Sequence, residues 1–314
     1  VEVILQGNYG TGTTVYTGAD RYSIKDFSIG QYKLEFKGDN FFVRGYTTQE
    51  RSGDSYAIGT LASLVNEAWK PSSAWYPQFF QTFGGASYQT YATALLTALG
   101  GGAPLPTALT TAQSAVSNNF GAFYDVARNA ADQGRLLPGT DAFNSKVAEL
   151  KGIPIASGAK FNDKTNLYHF EGMYNFKNQI KFAEVIVGAN YRNYALNSGQ
   201  TIFALDNDGK EFSIDEYGGY LQASKRVLNE NLKLTGSIRY DKNMNFDGQF
   251  SPRISAVYTA AKTHNFRVSY QTGFRIPTTQ DQYIDLKTPQ ARLLGGLKLL
   301  RDRYGLEGTS YTLQ

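Results

Sequence analysis

Leu232-Lys233-Leu234-Thr235-Gly236-Ser237-Ile238-Arg239-Tyr240-Asp241 alternates without a fault. Leu232, Leu234, Gly236, Ile238 and Tyr240 share one parity, and Lys233, Thr235, Ser237, Arg239 and Asp241 the other. Successive side chains of a strand point to opposite faces, so this run predicts a strand with one apolar wall and one wet, charged wall. The same grammar runs through most of the chain. Phe266, Val268, Tyr270, Thr272 and Phe274 oppose Arg267, Ser269, Gln271, Gly273 and Arg275 across 265–276. In 180–192, Ala183, Val185, Val187, Ala189 and Tyr191 oppose Lys181, Glu184, Gly188 and Arg192, with Phe182 and Ile186 interrupting the polar side. Tyr168, Phe170, Gly172, Tyr174 and Phe176 oppose His169, Glu171 and Asn175 across 165–176, and the runs 32–37, 41–48 and 215–227 alternate likewise. With the run after Phe250, eight strands are predicted, and a ninth at 1–8.

Short turns pair these strands: Gly38-Asp39-Asn40, Lys177-Asn178-Gln179, Leu228-Asn229-Glu230 and Ala261-Lys262-Thr263-His264. Gly, Asn and Asp suit such turns because they accept positive φ or bond their own backbone. The opposite ends are joined by 51–163, 193–214 and 244–249, with 277 onward following, so by parity all long connections lie on one side. Short turns at one end and long loops at the other are the asymmetry of a transmembrane β-barrel. A soluble antiparallel sheet also alternates. Against it stand strands near the ~9–11 residues that a tilted strand needs to cross a bilayer. The 22 Tyr and 20 Phe also gather at run ends, as girdles do. The expected fold is therefore all-β with a helical insertion: an antiparallel transmembrane β-barrel segment of about 8–9 strands of a larger barrel, since both ends, including Ser310-Tyr311-Thr312-Leu313-Gln314, stop within the pattern. It divides as 1–50 strands and hairpin, 51–163 a long, partly helical extracellular loop, 164–276 strands, and 277–314 a truncated extracellular loop.

Composition narrows the function. The 314 residues include no cysteine and only two histidines, which removes thiolate chemistry and Cys metal sites. His169 and His264 stand alone, without nucleophile spacing. Mean hydropathy is −0.37, and no run nears the ~18 apolar residues of a membrane helix. A net charge of +4 gives no ground for nucleic-acid binding. Asp206-Asn207-Asp208-Gly209 resembles the start of a calcium loop but has no distal Glu at the required spacing, Glu211 arriving too early, so it reads as a solvated turn. No phosphate-binding or dinucleotide motif occurs. Neither a cofactor nor a metal is expected, nor enzymatic activity.

Two segments pair as in a known family. Phe250-Ser251-Pro252-Arg253-Ile254-Ser255-Ala256-Val257-Tyr258 precedes Asn265-Phe266-Arg267-Val268-Ser269-Tyr270-Gln271-Thr272-Gly273-Phe274-Arg275-Ile276-Pro277-Thr278. This resembles the paired "SPR" and "GFR-x-P" strands of TonB-dependent outer-membrane receptors. The continuation Thr279-Gln280-Asp281-Gln282-Tyr283 is similar to receptors of the Bacteroidetes type, as are Gly10–Gly18 and Asn66-Glu67-Ala68-Trp69-Lys70-Pro71. The resemblance implies a bacterial outer-membrane location and a barrel of the 22-stranded, plugged kind. It further implies a plug domain and a TonB-engaging segment elsewhere in the protein, and uptake of a scarce small-molecule, glycan or peptide ligand. A passive porin, a structural barrel with a protein-binding loop, and a soluble β-rich adhesin remain the alternatives.

Two sets of residues are candidates for function. Loops longer than ~12–15 residues are usually functional or disordered. Within 51–163, Ile58, Leu61, Leu64, Val65 and Ala68 recur at helical spacing, and helices are predicted at about 110–132 and 141–151, around a flexible Gly100-Gly101-Gly102-Ala103-Pro104. Trp69, Trp75, Tyr76, Phe79 and Phe80, which include the only two tryptophans, form either a ligand-gripping patch or the loop's own core. On the wet face, Lys33, Glu35, Arg44, Glu171, Lys233, Arg239, Arg253, Arg267 and Arg275 are expected to line the lumen and meet a plug or a passing anion.

Overall fold

A computed structural model describes residues 1–306 and 308 apart from Ala19, Ala156, Lys262, Pro289 and Gln290. Lys262 of the last predicted turn and the terminal Ser310–Gln314 thus lie outside the described residues. In chain order the elements are β1 (Glu2–Thr17), β2 (Arg21–Lys37), β3 (Phe41–Arg51), β4 (Tyr56–Ala57), α1 (Ile58–Trp69), α2 (Ser72–Gly100), α3 (Leu105–Asn118), α4 (Phe120–Ala131), α5 (Asp141–Gly152), β5 (Asn166–Asn175), β6 (Glu184–Ala195), β7 (Ser213–Val227), β8 (Leu232–Asn243), β9 (Gln249–Ala260), β10 (His264–Gln271), α6 (Thr279–Tyr283), β11 (Asp285–Lys287), β12 (Arg292–Leu294) and α7 (Lys298–Arg303). They fall into two compact units, 1–59 with 153–314, and 60–152.

The first unit is built on one antiparallel sheet in which sequence order is spatial order, β1-β2-β3-β5-β6-β7-β8-β9-β10, with β4 pairing β2. Sequential neighbours pair because tight turns leave no room for another strand between them. The sheet is open, with β1 and β10 at its edges. Register carries the alternation across the ladder. Phe36 lies opposite Val43, Val43 opposite Gly172, Gly172 opposite Ala189, Ala189 opposite Gly219, Gly219 opposite Tyr240 and Tyr240 opposite Phe250. Directly opposed residues share a face, so this row is one continuous apolar band. Phe170, Ile254 and Val268 of that face are 57%, 65% and 75% exposed. An apolar face this wide and this uncovered is what a bilayer requires of a strand wall and what water penalises.

Several boundaries differ from the sequence expectation. β1 and β2 extend to Thr17 and back to Arg21, a long hairpin whose register shifts between Gly12 and Thr14. β6 starts at Glu184, not 180. Gln179 and Ile180 bond back to the Phe176 carbonyl at 3.0 and 2.8 Å, so the turn takes 177–183 and leaves Phe182 exposed. β10 ends at Gln271, and Thr272 N–H makes a last bond to the Pro252 carbonyl at 3.1 Å, so Arg275 lies beyond the ladder. The turn Leu228-Asn229-Glu230 holds three non-glycine residues at positive φ, 52°, 50° and 72°. Only Asn is suited to that region, and Leu and Glu there cost ~1–2 kcal/mol each.

Above the long-loop ends, three connections fold onto one another. Tyr22, Ala57, Ile155, Phe161, Ile284 and Leu286 form one core, and Leu196, Phe203, Ile214 and Tyr283 a second. Asn245 pins the region by donating to Tyr283 Oη at 2.6 Å and Gln282 Oε1 at 2.7 Å.

The second unit is helical. The spacing Ile58 to Ala68 becomes α1, but 72–100 forms a 29-residue helix that periodicity does not announce. Its apolar residues lie all around it, with Gly84 and Gly85 at its centre, so it has no single stripe to read. The predicted helix 110–132 is two helices, broken at Asn119, whose φ is −108° and whose Nδ2 donates to the Ala115 carbonyl at 2.8 Å. Asn competes with the backbone ladder in this way and breaks helices. The glycine segment is a hydrogen-bonded turn, with Gly102 N–H to the Leu99 carbonyl and Ala103 N–H to that of Ala98, both 3.0 Å. Small side chains are fully buried in this unit, Ala108, Ala112, Ala127 and Ala131, while Tyr88, Leu96 and Phe120 are exposed.

Candidate functional site

Strand register decides which wet-face charges meet. Glu35 lies opposite Arg44, and Arg44 opposite Glu171. Lys33 Nζ sits 3.3 Å from Glu35, the Arg44 guanidinium 3.7 Å from the same carboxylate, and Arg44 also binds Glu171 directly. One row along, Lys33, Tyr46, His169, Arg192, Glu216 and Asn243 are opposed in turn. His169 is buried, stacked on Tyr46 at 4.6 Å. Arg192 Nε donates to its Nδ1 at 3.1 Å, and its Nε2 faces Glu171 at 3.7 Å. A ring nitrogen that accepts from guanidinium carries no proton, so the arrangement assigns a neutral imidazole protonated on Nε2. Arg192 continues to Glu216 at 3.8 Å, which accepts from Asn243 at 2.9 Å.

Ion pairs and hydrogen bonds together thus form a zipper from β2 to β8. Arg239 belongs to a second knot, donating to Asn190 Oδ1 at 2.8 Å and pairing with Asp241. Gly218 stands opposite Asp241, and a Cβ there would lie 2.5 Å from the Asp241 carboxylate. Lys233, Arg253 and Arg267 lie on the same face; among the described residues Arg253 and Arg267 make no ion pair. The partners Arg192, Glu216, Asn190 and Asp241 escape a sequence reading because alternation gives the face of a residue and not its neighbour.

Where strands meet the outer loops, Asp163 is buried, and Ser52 Oγ accepts its backbone N–H at 2.9 Å. Burial pushes its carboxyl above the ordinary range, more than the Thr165 hydroxyl, which donates to it at 2.6 Å, pulls it down. Burial raises Glu211 likewise; its Oε1 accepts from Gly199 N–H at 2.8 Å and its Oε2 is buried without a partner. Asp206 Oδ1 accepts the N–H groups of Asp208 and Lys210 at 2.9 and 2.8 Å, a self-capped turn.

In the helical unit the five loop aromatics divide. Phe79 is buried with Ala127 and Ala131, and Trp75 and Phe83 pack on that cluster. Trp75 stacks on Phe79 at 5.2 Å, carries Arg128 at 5.4 Å from its ring centre, and donates Nε1–H to Asp132 at 2.8 Å. Its ring and its N–H are both committed. Trp69 is half-buried with Lys70 Nζ 5.5 Å from its ring centre, while Tyr76 and Phe80 are exposed and stack on each other at 6.3 Å. Burial alone raises Asp132, but hydrogen bonds from Trp75 and Arg128 and the charges of Arg128 and Arg135 outweigh it and hold the carboxyl below its usual range.

Comparison with known proteins gives one positive finding. A family model described as "TonB dependent receptor-like, beta-barrel" matches residues 4–298. A search of curated proteins found no match.

Proposed function

The chain belongs to the TonB-dependent receptor β-barrel family, a family of outer-membrane receptors and transporters rather than enzymes, and from that premise we propose that it serves TonB-energised uptake of a scarce ligand across a bacterial outer membrane. The observation that carries this reading is the two-sided sheet. An apolar band from Phe36 to Phe250 stands exposed on one side, and a charge zipper from Lys33 to Glu216 runs along the other. Only a barrel wall between lipid and a wet lumen stabilises both faces at once.

In this reading the outer loops receive a small-molecule, glycan or peptide ligand, with Tyr76 and Phe80 offering exposed contact, the half-buried Trp69 a partial one, and Trp75 and Phe79 supporting them from the unit's core. The lumen row of Lys33, Glu35, Arg44, Glu171 and Arg239 is largely self-neutralised. Arg253 and Arg267 are the better placed to pair with acidic groups of a plug domain, with Lys233 beside them and Arg275 past the strand end. The TonB complex then acts through that plug.

The test is uptake by cells carrying the full-length gene. Labelled ferric chelate, cobalamin, oligosaccharide and peptide are supplied with and without a protonophore. Uptake of one of these that collapses when the proton gradient is removed is the expected result. Gradient-independent entry sinks the proposal and favours a passive pore.

A further inference from the structure

Three of the loop aromatics, Trp69, Trp75 and Tyr76, line a single cavity of about 190 Å³ in the helical unit, and the rest of its wall is polar or charged, with Asn66 and Ser72 beside five charged side chains. The charges do not balance by contact. Asp132 is occupied twice, by Trp75 Nε1–H and by Arg128. Glu67 is occupied by the backbone N–H of Ser72 at 3.0 Å and by its hydroxyl. Lys70 Nζ bonds only to neutral acceptors, Gln78 Oε1 at 2.6 Å and the Ala131 carbonyl at 2.7 Å. Arg135 reaches no closer than 3.9 Å to Asp132, beyond hydrogen-bond distance, and its side chain is 44% exposed. Two cations, Lys70 and Arg135, therefore stand in this wall without a bonded carboxylate among the described residues.

The geometry points to this cavity as a binding site for a single ring that bears a carboxylate. The ring lies against Trp69 and Tyr76, which stand outside the Phe79 core that holds Trp75, with Lys70 already over one ring and Phe80 stacked on the other, and flat apolar faces favour such offset stacking. The carboxylate takes the guanidinium of Arg135, whose planar fork matches it in two parallel hydrogen bonds, with the charge of Lys70 behind. A cavity of this size holds one ring and its substituent. The inference rests on the reading that the outer loops receive the ligand, and it narrows that ligand to an acid, whether a sugar acid or an aromatic acid.

Full-length protein in detergent is titrated with two matched pairs, glucuronate against glucose and benzoate against benzyl alcohol, followed by tryptophan emission and by calorimetry. The expected result is saturable quenching by at least one acid, with its uncharged twin binding about tenfold or more weakly. Arg135→Gln weakens that acid about tenfold or more, Arg135→Lys recovers part of the loss, and Trp69→Phe reduces the quenching to the share carried by Trp75. Circular dichroism confirms that each variant keeps its helices. Glucuronate alone identifies a sugar acid, and benzoate alone an aromatic acid. The proposal is overturned if neither acid outbinds its twin, or if Arg135→Gln binds as tightly as the parent. Failure here beside gradient-dependent uptake removes this site and leaves the transport reading standing. Acid binding beside gradient-independent entry does the reverse.

Discussion

Asp132 is the residue on which the helical unit's aromatic cluster turns. It holds the indole N–H of Trp75 and the guanidinium of Arg128, so it ties a ring of α2 to the end of α4, 57 residues along the chain. Its folded carboxyl is held below the usual value, while the unfolded chain has Asp near ~3.9. A depressed folded value means stability that is present above the unfolded value and lost as pH falls through the folded one. Asp132→Asn is therefore expected to unfold at a lower temperature than the parent at pH 7, followed by helical circular dichroism of the full-length protein. The gap should close on acidification below about pH 4. A gap that stays constant down to pH 2 would show that the carboxylate's charge is not what matters.

At the scale of the element, β10 offers the sharpest check on which face is oily. Val268 and Ser269 are adjacent, both exposed in an edge strand, and on opposite faces. Arginine at a mid-bilayer lipid-facing position costs ~2–4 kcal/mol, and far less when it points into a lumen. Refolding of full-length protein into bilayers should penalise Val268→Arg by that amount and Ser269→Arg by little. Equal penalties would invert or abolish the assignment of faces. Alternation made this strand legible, and it made most of each long strand from Tyr32 onward legible, because period two is a local property of the backbone; the stretches 9–17 and 21–31 of β1 and β2 escaped it. The same locality explains the errors. Phe182 keeps the apolar rhythm of 180–192 although it lies in a turn, and α2, apolar around its whole circumference, has no rhythm to detect.

At the scale of the molecule, the helical unit is an insertion whose two stems are neighbours. Ala57 N–H bonds the Ala159 carbonyl at 2.9 Å, and Lys160 N–H bonds the Ile153 carbonyl at 2.9 Å while Lys160 bridges to Tyr56. A chain that leaves and returns at adjacent points can be cut there at small entropic cost. Replacing 60–152 of the full-length protein by a short Gly/Ser linker should leave the heat-resistant, fast-migrating band of a folded barrel on an unheated gel. The same replacement should abolish ligand binding at the outer loops. Loss of the folded band would mean that the helices are part of the barrel's stability.

The alternation of Leu232 to Asp241, and of the strands like it, settled by sequence alone which side chains share the apolar face and which the polar one, since each residue carries its parity wherever the strand is placed. The tertiary structure alone decided that Arg44 joins Glu35 to Glu171, that Arg192 reaches His169, and that Trp75 is spent on packing while Trp69 and Arg135 face a cavity. Those outcomes depend on register and helix docking between residues far apart in the chain, and no local period encodes which distant partner a side chain will meet.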